Sequence, residues 1–263
     1  DVLTSRGLGD VYKRQAHNYP DQPDRHSELG SGYGLEAYPN MSRMDWAVEL
    51  FQWFNYYLKD IGDEPEPMVQ IQTNDGRWHL EKTWPPEDMS WDMQEIGNSW
   101  SVTGTTVNAQ GSSVTLVSEE LSELTHISGL PTLHLDVTTQ ACQGGQIFAT
   151  LYDNENDLRL GHATMDIRYR DGGYDAKPTS PFSSYTMLME FNPLDVVVPA
   201  GHTLRIELTE SGEDYLPSPC ATNPLGGLDV DGGMIGLPII DRPNSHESWF
   251  LAPPWWDQQP IPE

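Results

Sequence analysis

A chain with forty acids and eight histidines has the side chains for acid–base chemistry, so their spacing decides what chemistry is possible. His17, in Ala16-His17-Asn-Tyr-Pro-Asp21, lies on a polar, turn-rich segment that leads into a long amphipathic stretch. A loop histidine of this kind can serve as a general base: it takes a proton from a serine hydroxyl while a carboxylate holds its ring. The serine of such a set stands in G-x-S-x-G, because only glycines tolerate the sharp strand-to-helix turn that exposes it. That motif is absent: Ser31 lies between Gly30 and Gly32, but Leu29 occupies the place of the first glycine. Neither H-E-x-x-H nor a cysteine–histidine pair at a catalytic spacing occurs. The chain therefore holds at most one member of a catalytic set, with His17 as the candidate base and His26 as the second choice.

The remaining polar clusters have structural readings. His202 follows Gly201 between strands, and His134 and His162 sit in or beside strands, so all three are expected to pack or to lie at the surface. Asp153-Asn-Glu-Asn-Asp157 and Asp229-Val-Asp-Gly232 look like calcium loops, but neither continues to the terminal glutamate of such a loop. Both read as Asp/Asn turns, so no metal site and no cofactor is expected. Trp78, Trp84, Trp91 and Trp100 read as packing between domains in preference to a sugar platform. Cys142 and Cys220 have no metal spacing. They read as buried free thiols, with pairing across a sandwich as the alternative.

The elements that would position these residues fall into two regimes. Ser42 as N-cap, Asp45 three residues on and Gly62 beyond the end delimit a helix. Ala47, Phe51, Phe54 and Leu58 form one apolar stripe on it, and Trp46, Leu50, Trp53 and Tyr57 a second, so the helix needs partners on two sides. Asp63-Glu-Pro-Glu-Pro67 is a proline-broken linker, and beyond it the apolar period becomes two. Val69/Ile71, Leu133/Leu135/Val137, Ile147/Ala149/Leu151, Tyr185/Met187/Met189/Phe191 and Leu204/Ile206/Leu208 each alternate with polar neighbours, as half-buried antiparallel strands do. Many short strands between turns make a sandwich or jelly roll. Residues 170–183 and 211–233 read as long covering loops, and residues 252–263 as a proline-rich tail in which Trp255 and Trp256 dock on the surface.

Composition excludes whole classes of partner. A net charge of −26 repels nucleic acid and anionic membranes. No apolar run approaches the roughly 18 residues a spanning helix needs. Asp10-Val-Tyr-Lys-Arg-Gln15 reads as one frame of a transposon sequencing adapter, so residues 1–15 are expected to be an addition to a truncated gene.

From Ala16 to about Pro254 the chain resembles the cocaine-esterase and X-Pro dipeptidyl-peptidase family of serine hydrolases (the CocE/NonD hydrolases). Leu58-Lys59-Asp60 is similar to the family's helix-ending Leu-Lys-Gly, and Trp78 with Trp84-Pro85-Pro86 to the opening of its C-terminal domain. Ile127-Ser-Gly-Leu-Pro131, Leu151-Tyr152-Asp153, Pro199-Ala-Gly-His-Thr-Leu-Arg-Ile206 and Asn244-Ser-His-Glu-Ser-Trp-Phe-Leu251 follow in family order. One departure is the family's Gly-Pro-Trp before the histidine, which is replaced by Lys13-Arg-Gln15 where the adapter-like run ends.

The resemblance implies a mainly β chain: a jelly-roll (galactose-binding-like) β-sandwich over residues 65–263. Ahead of it, residues 16–64 would be the last loop and helix of an α/β-hydrolase domain. It makes His17 the catalytic base of a Ser-His-Asp triad whose serine and aspartate lie upstream. The expected partners are a catalytic domain in cis and a small acyl ester or peptide substrate. The rival expectation is a free-standing β-sandwich binding module, possibly for carbohydrate.

Overall fold

A computed structural model describes residues 43–241 apart from 64–68, 75–77, 143, 172–174, 213–219, 221–222 and 224. His17, His26, the adapter-like run, the Ser42 cap and the tail beyond Asp241 lie outside the described residues. The helix α1 spans Arg43–Lys59. It closes with the Asp60 N–H on the Tyr56 carbonyl at 3.1 Å and the Ile61 N–H on that of Asn55 at 3.0 Å. Asp60 has φ +54°, a left-handed position that aspartate tolerates and glycine prefers. Phe51, Phe54, Leu58 and Ile61 are all exposed, Leu58 by 72%. One of the two expected apolar stripes thus lies bare.

Beyond the linker the described elements are strands, apart from a 3-10 turn at Ile167–Tyr169. β1 (Val69–Gln72) and β2 (Trp78–Glu81) form a two-stranded sheet. Then come β3 (Ser90–Glu95), β4 (Trp100–Thr103), β5 (Thr106–Val107), β6 (Val114–Ser118) and β7 (Thr125–Gly129). They are followed by β8 (Thr132–Thr139), β9 (Gln146–Asp153), β10 (Leu158–Asp166) and β11 (Ser184–Glu190). β12 (Leu194–Val198), β13 (Leu204–Thr209) and β14 (Leu228–Ile240) complete the order. One sheet runs β10-β9-β13-β6-β4, and the other β11-β8-β14-β7-β12 with β3 and β5 also paired to β14. All pairings within both sheets are antiparallel, and the fold is a β-sandwich.

The period-two runs fill the space between the sheets. Leu133, Leu135 and Val137 face the interior from β8, Met187 and Met189 from β11, and Ile147, Ala149 and Leu151 from β9. Leu204, Ile206 and Leu208 on β13 complete the facing layer. Trp100 joins them, fully buried, with its Nε1–H donated to Gln94 Oε1 at 2.6 Å. That corrects the expectation for this tryptophan, which packs within the sandwich and not between domains.

Three other expectations are corrected. The stretch 211–233 is not one loop, because β14 begins at Leu228. Asp229-Val-Asp-Gly232 is consequently strand, not turn. A bulge between Val230 and Gly232 throws out the extra residue, and Thr138 Oγ1 donates to Asp231 Oδ2 at 2.7 Å. Cys142 and Cys220 are not free thiols but a disulfide, with Cα atoms 5.9 Å apart. The Asp153–Asp157 run is, as expected, a turn, joining β9 to β10.

Candidate functional site

Serine, histidine and aspartate do meet in the sandwich, but in the wrong order for catalysis. On the paired strands β7 and β12, Asp195 lies opposite Ser128, and Val197 opposite His126. Ser128 Oγ donates to Asp195 Oδ2 at 2.7 Å, and His126 Nε2 lies 2.8 Å from Asp195 Oδ1. The carboxylate sits between the other two, whereas a triad needs the imidazole in the middle to take the serine proton. All three residues are buried. Buried polar groups need partners, and this trio supplies them to one another.

One further group has the chemistry of a metal site: the ligand atoms of Asp153, Glu155 and His202 lie within 4.8 Å of one another. It joins the end of β9, the β9–β10 turn and the β12–β13 turn, where Gly201 adopts φ +84° to bring His202 round. The donors are committed to protein partners. His202 Nδ1 meets Asp153 Oδ1 at 2.8 Å, and Asn156 Nδ2 donates to Asp153 Oδ2 at 2.8 Å. Glu155 accepts from the Thr203 N–H at 2.7 Å and from Thr203 Oγ1 at 3.0 Å. Burial pushes the Glu155 carboxyl up, but the two Thr203 bonds and the neighbouring His202 outweigh it and hold the group below its ordinary value. The cluster locks two turns together, as expected for a structural His202. His162 is also packed: it stacks on Phe148 at 5.4 Å, with Asn192 in hydrogen-bond reach.

What the sandwich offers to a partner is a surface. On the outer face of the larger sheet, Leu188, His134, Met234 and Glu95 lie side by side across β11, β8, β14 and β3. The next rows bring Met93 opposite Gly236 and Trp91 opposite Pro238. Leu188, Met234, Met93 and Trp91 are each 40–47% exposed. Gly236 is needed there, since a Cβ would stand 2.6 Å from Thr132 Oγ1 and 2.9 Å from Met93 Sδ. Beside this patch the half-buried Trp84 precedes a cis Pro85. Gly129, at φ +144°, lets Pro238 and Pro85 close over its missing side chain.

The described residues thus form a two-sheet antiparallel sandwich with an apolar outer patch. The family of X-Pro dipeptidyl-peptidase C-terminal non-catalytic domains matches residues 87–228, more than half of the chain, and the chain belongs to that family. No curated protein matches it. Among solved structures it resembles a CocE/NonD family hydrolase from Staphylococcus aureus, with a TM-score of 0.56 at 12% identity over 74% of this chain and 46% of that one. An α-amino acid ester hydrolase matches with a TM-score of 0.55 at 16% identity, over 82% of this chain and 48% of that one. An aminopeptidase from a marine sediment archaeon, Thaumarchaeota archaeon, matches at 0.53 and 15% identity, over 73% and 43%. At these identities the likeness is one of fold. The chain spans less than half the length of each of the three.

Proposed function

We propose that this chain is the C-terminal part of a serine hydrolase that cleaves acyl bonds, of the Xaa-Pro dipeptidyl-peptidase or ester-hydrolase type. The observation that carries the reading is the match to a non-catalytic hydrolase domain in a chain whose preceding helix leaves an apolar stripe bare. Residues 16–64 are then the end of an α/β-hydrolase domain, with α1 its last helix, and residues 65–263 the accessory sandwich. His17 is the general base. It takes the proton of an upstream serine as that serine attacks the acyl carbon, then returns it to the leaving group, while an upstream aspartate holds the ring. The sandwich does no chemistry itself. The α1 stripe and the Trp91–Met93–Met234–Leu188 patch are surfaces the catalytic domain would cover, and burying each large side chain contributes roughly 1.5–3 kcal/mol.

The test is to recover the reading frame upstream of Ala16 and assay the whole protein on a p-nitrophenyl ester and an Xaa-Pro p-nitroanilide. The expected frame supplies Gly-Pro-Trp before His17, a G-x-S-x-G and an aspartate. Changing His17→Ala in that protein should lower kcat by about a million-fold, and the present chain alone should show no turnover. An upstream frame without the serine motif would sink the proposal and leave a free-standing β-sandwich binding module.

A further inference from the structure

Two cysteines occur in the whole sequence, and they are joined. Cys142 lies in the β8–β9 connection and Cys220 in the β13–β14 connection, 78 residues apart. The two connections are zipped together beside the bond: the Gln140 N–H donates to the Gly227 carbonyl at 3.0 Å, and the Ala141 N–H to that of Leu225 at 3.1 Å. Cys220 is buried.

The surroundings are fitted to a bonded pair. A Cβ on Gly144 would stand 3.3 Å from Cys220 Sγ, and one on Gly226 would stand 2.9 Å from the Cys220 carbonyl and 3.3 Å from Cys142 Cβ. Gly145 is pressed equally hard on Leu228, at 2.7 Å. Two reduced sulfurs in van der Waals contact need well over an ångström more separation than the ~2.05 Å of a bond. Gly144 and Gly226 already give up their side chains to this pair, so parting the sulfurs must push on the chain around them. Cys220 also lines a small cavity shared by Gln146, Glu210 and Leu228, next to the bond.

We infer that this domain folds and works in an oxidising compartment outside the reducing cytosol, with Cys142–Cys220 as a reduction-sensitive clamp on the β13–β14 connection. Glutathione and thioredoxin keep cytosolic thiols reduced, whereas exported domains form and keep such bonds. Forming the clamp removes two protons and two electrons from the thiol pair. They pass to the disulfide of an exchange catalyst or of an oxidised small thiol, which becomes two thiols.

The full chain is made twice, once exported to an oxidising compartment and once in a reducing cytosol, and each product is alkylated in denaturant and weighed. The exported product is expected to take no label before reduction and two labels after it. Reduction should lower its melting midpoint by roughly 10 °C or more, as the loss of a clamp closing so long a loop predicts. It should also open the chain beside Cys142 and Cys220 to protease. The Cys142→Ser/Cys220→Ser double variant removes the bond without reductant and should reproduce the fall, and failure of that variant to fold would mark the same dependence. A cytosolic product with two free thiols that melts within about 2 °C of the oxidised one and resists protease equally would overturn the inference.

Discussion

Asp195 is a carboxylate enclosed between β7 and β12 with Ser128 and His126 as its partners. Removing one member of a buried charged network leaves the others desolvated, which costs far more than the network's net worth. Asp195→Ala should therefore cost about 2–4 kcal/mol in urea unfolding, and Asp195→Asn, which keeps an acceptor, clearly less. Glu155 gives a pH signature of the turn lock. Its carboxyl is held below its ordinary value of 4.5, so the folded chain favours the charged form. Its contribution is complete above that ordinary value and is lost as pH falls through the lower folded one. The stability gap between the parent chain and Glu155→Gln should be constant above about pH 5 and close on further acidification, as read from denaturant midpoints across pH. The turn and the structural histidine were legible in advance, but these contacts were not. The sequence showed Gly201-His202 and the acidic run 153–157 but not that they meet, since the stretch 158–200 between them carries no spacing rule. For the same reason a cysteine pair 78 residues apart could not be told from two thiols.

Among the elements, legibility followed the period. Strands with one buried and one wet face announced themselves by alternation, and β8, β9, β11 and β13 lie where that alternation put them. β14 did not: residues 211–233 read as a loop and Asp229-Val-Asp-Gly232 as a turn, and Gly232, Gly233 and Gly236 interrupt its apolar pattern. The structure gives the reason for two of these glycines. Gly233 sits at φ +142° with a virtual Cβ 1.9 Å from the His134 carbonyl oxygen, and Gly236 leaves room for Met93 and Thr132. Close approach of a neighbouring backbone is what a glycine inside a strand commonly marks. Gly233→Ala should accordingly destabilise the sandwich by 2 kcal/mol or more, roughly, with a visible loss of folded yield. The helix was legible from its stripes and its Gly62 stop, with α1 ending at Lys59 and Gly62 at φ +91°.

For the whole molecule, the acid-rich surface and the bare apolar residues oppose each other. If α1 belongs to another domain, deleting residues 1–64 should leave the melting midpoint of the sandwich unchanged while reducing self-association in sedimentation. A midpoint lowered by several degrees would instead make the helix part of this fold. Leu188→Lys with Met234→Lys should change unfolding free energy by no more than about 0.5 kcal/mol, since both side chains are already half in water, yet cut the binding of an apolar dye. The arrangement of β14 has a consequence in time. It pairs with β3, β5, β7 and β8, all of them made earlier. During synthesis those four strands wait without their common neighbour until residue 240 has left the ribosome, so the β11-β8 and β7-β12 pairs cannot be joined into one sheet before then. Contacts so distant along the chain form slowly, and the waiting strand edges are open to capture by other chains. A nascent chain stopped short of Leu228 should be a client of chaperones and not a smaller version of this domain.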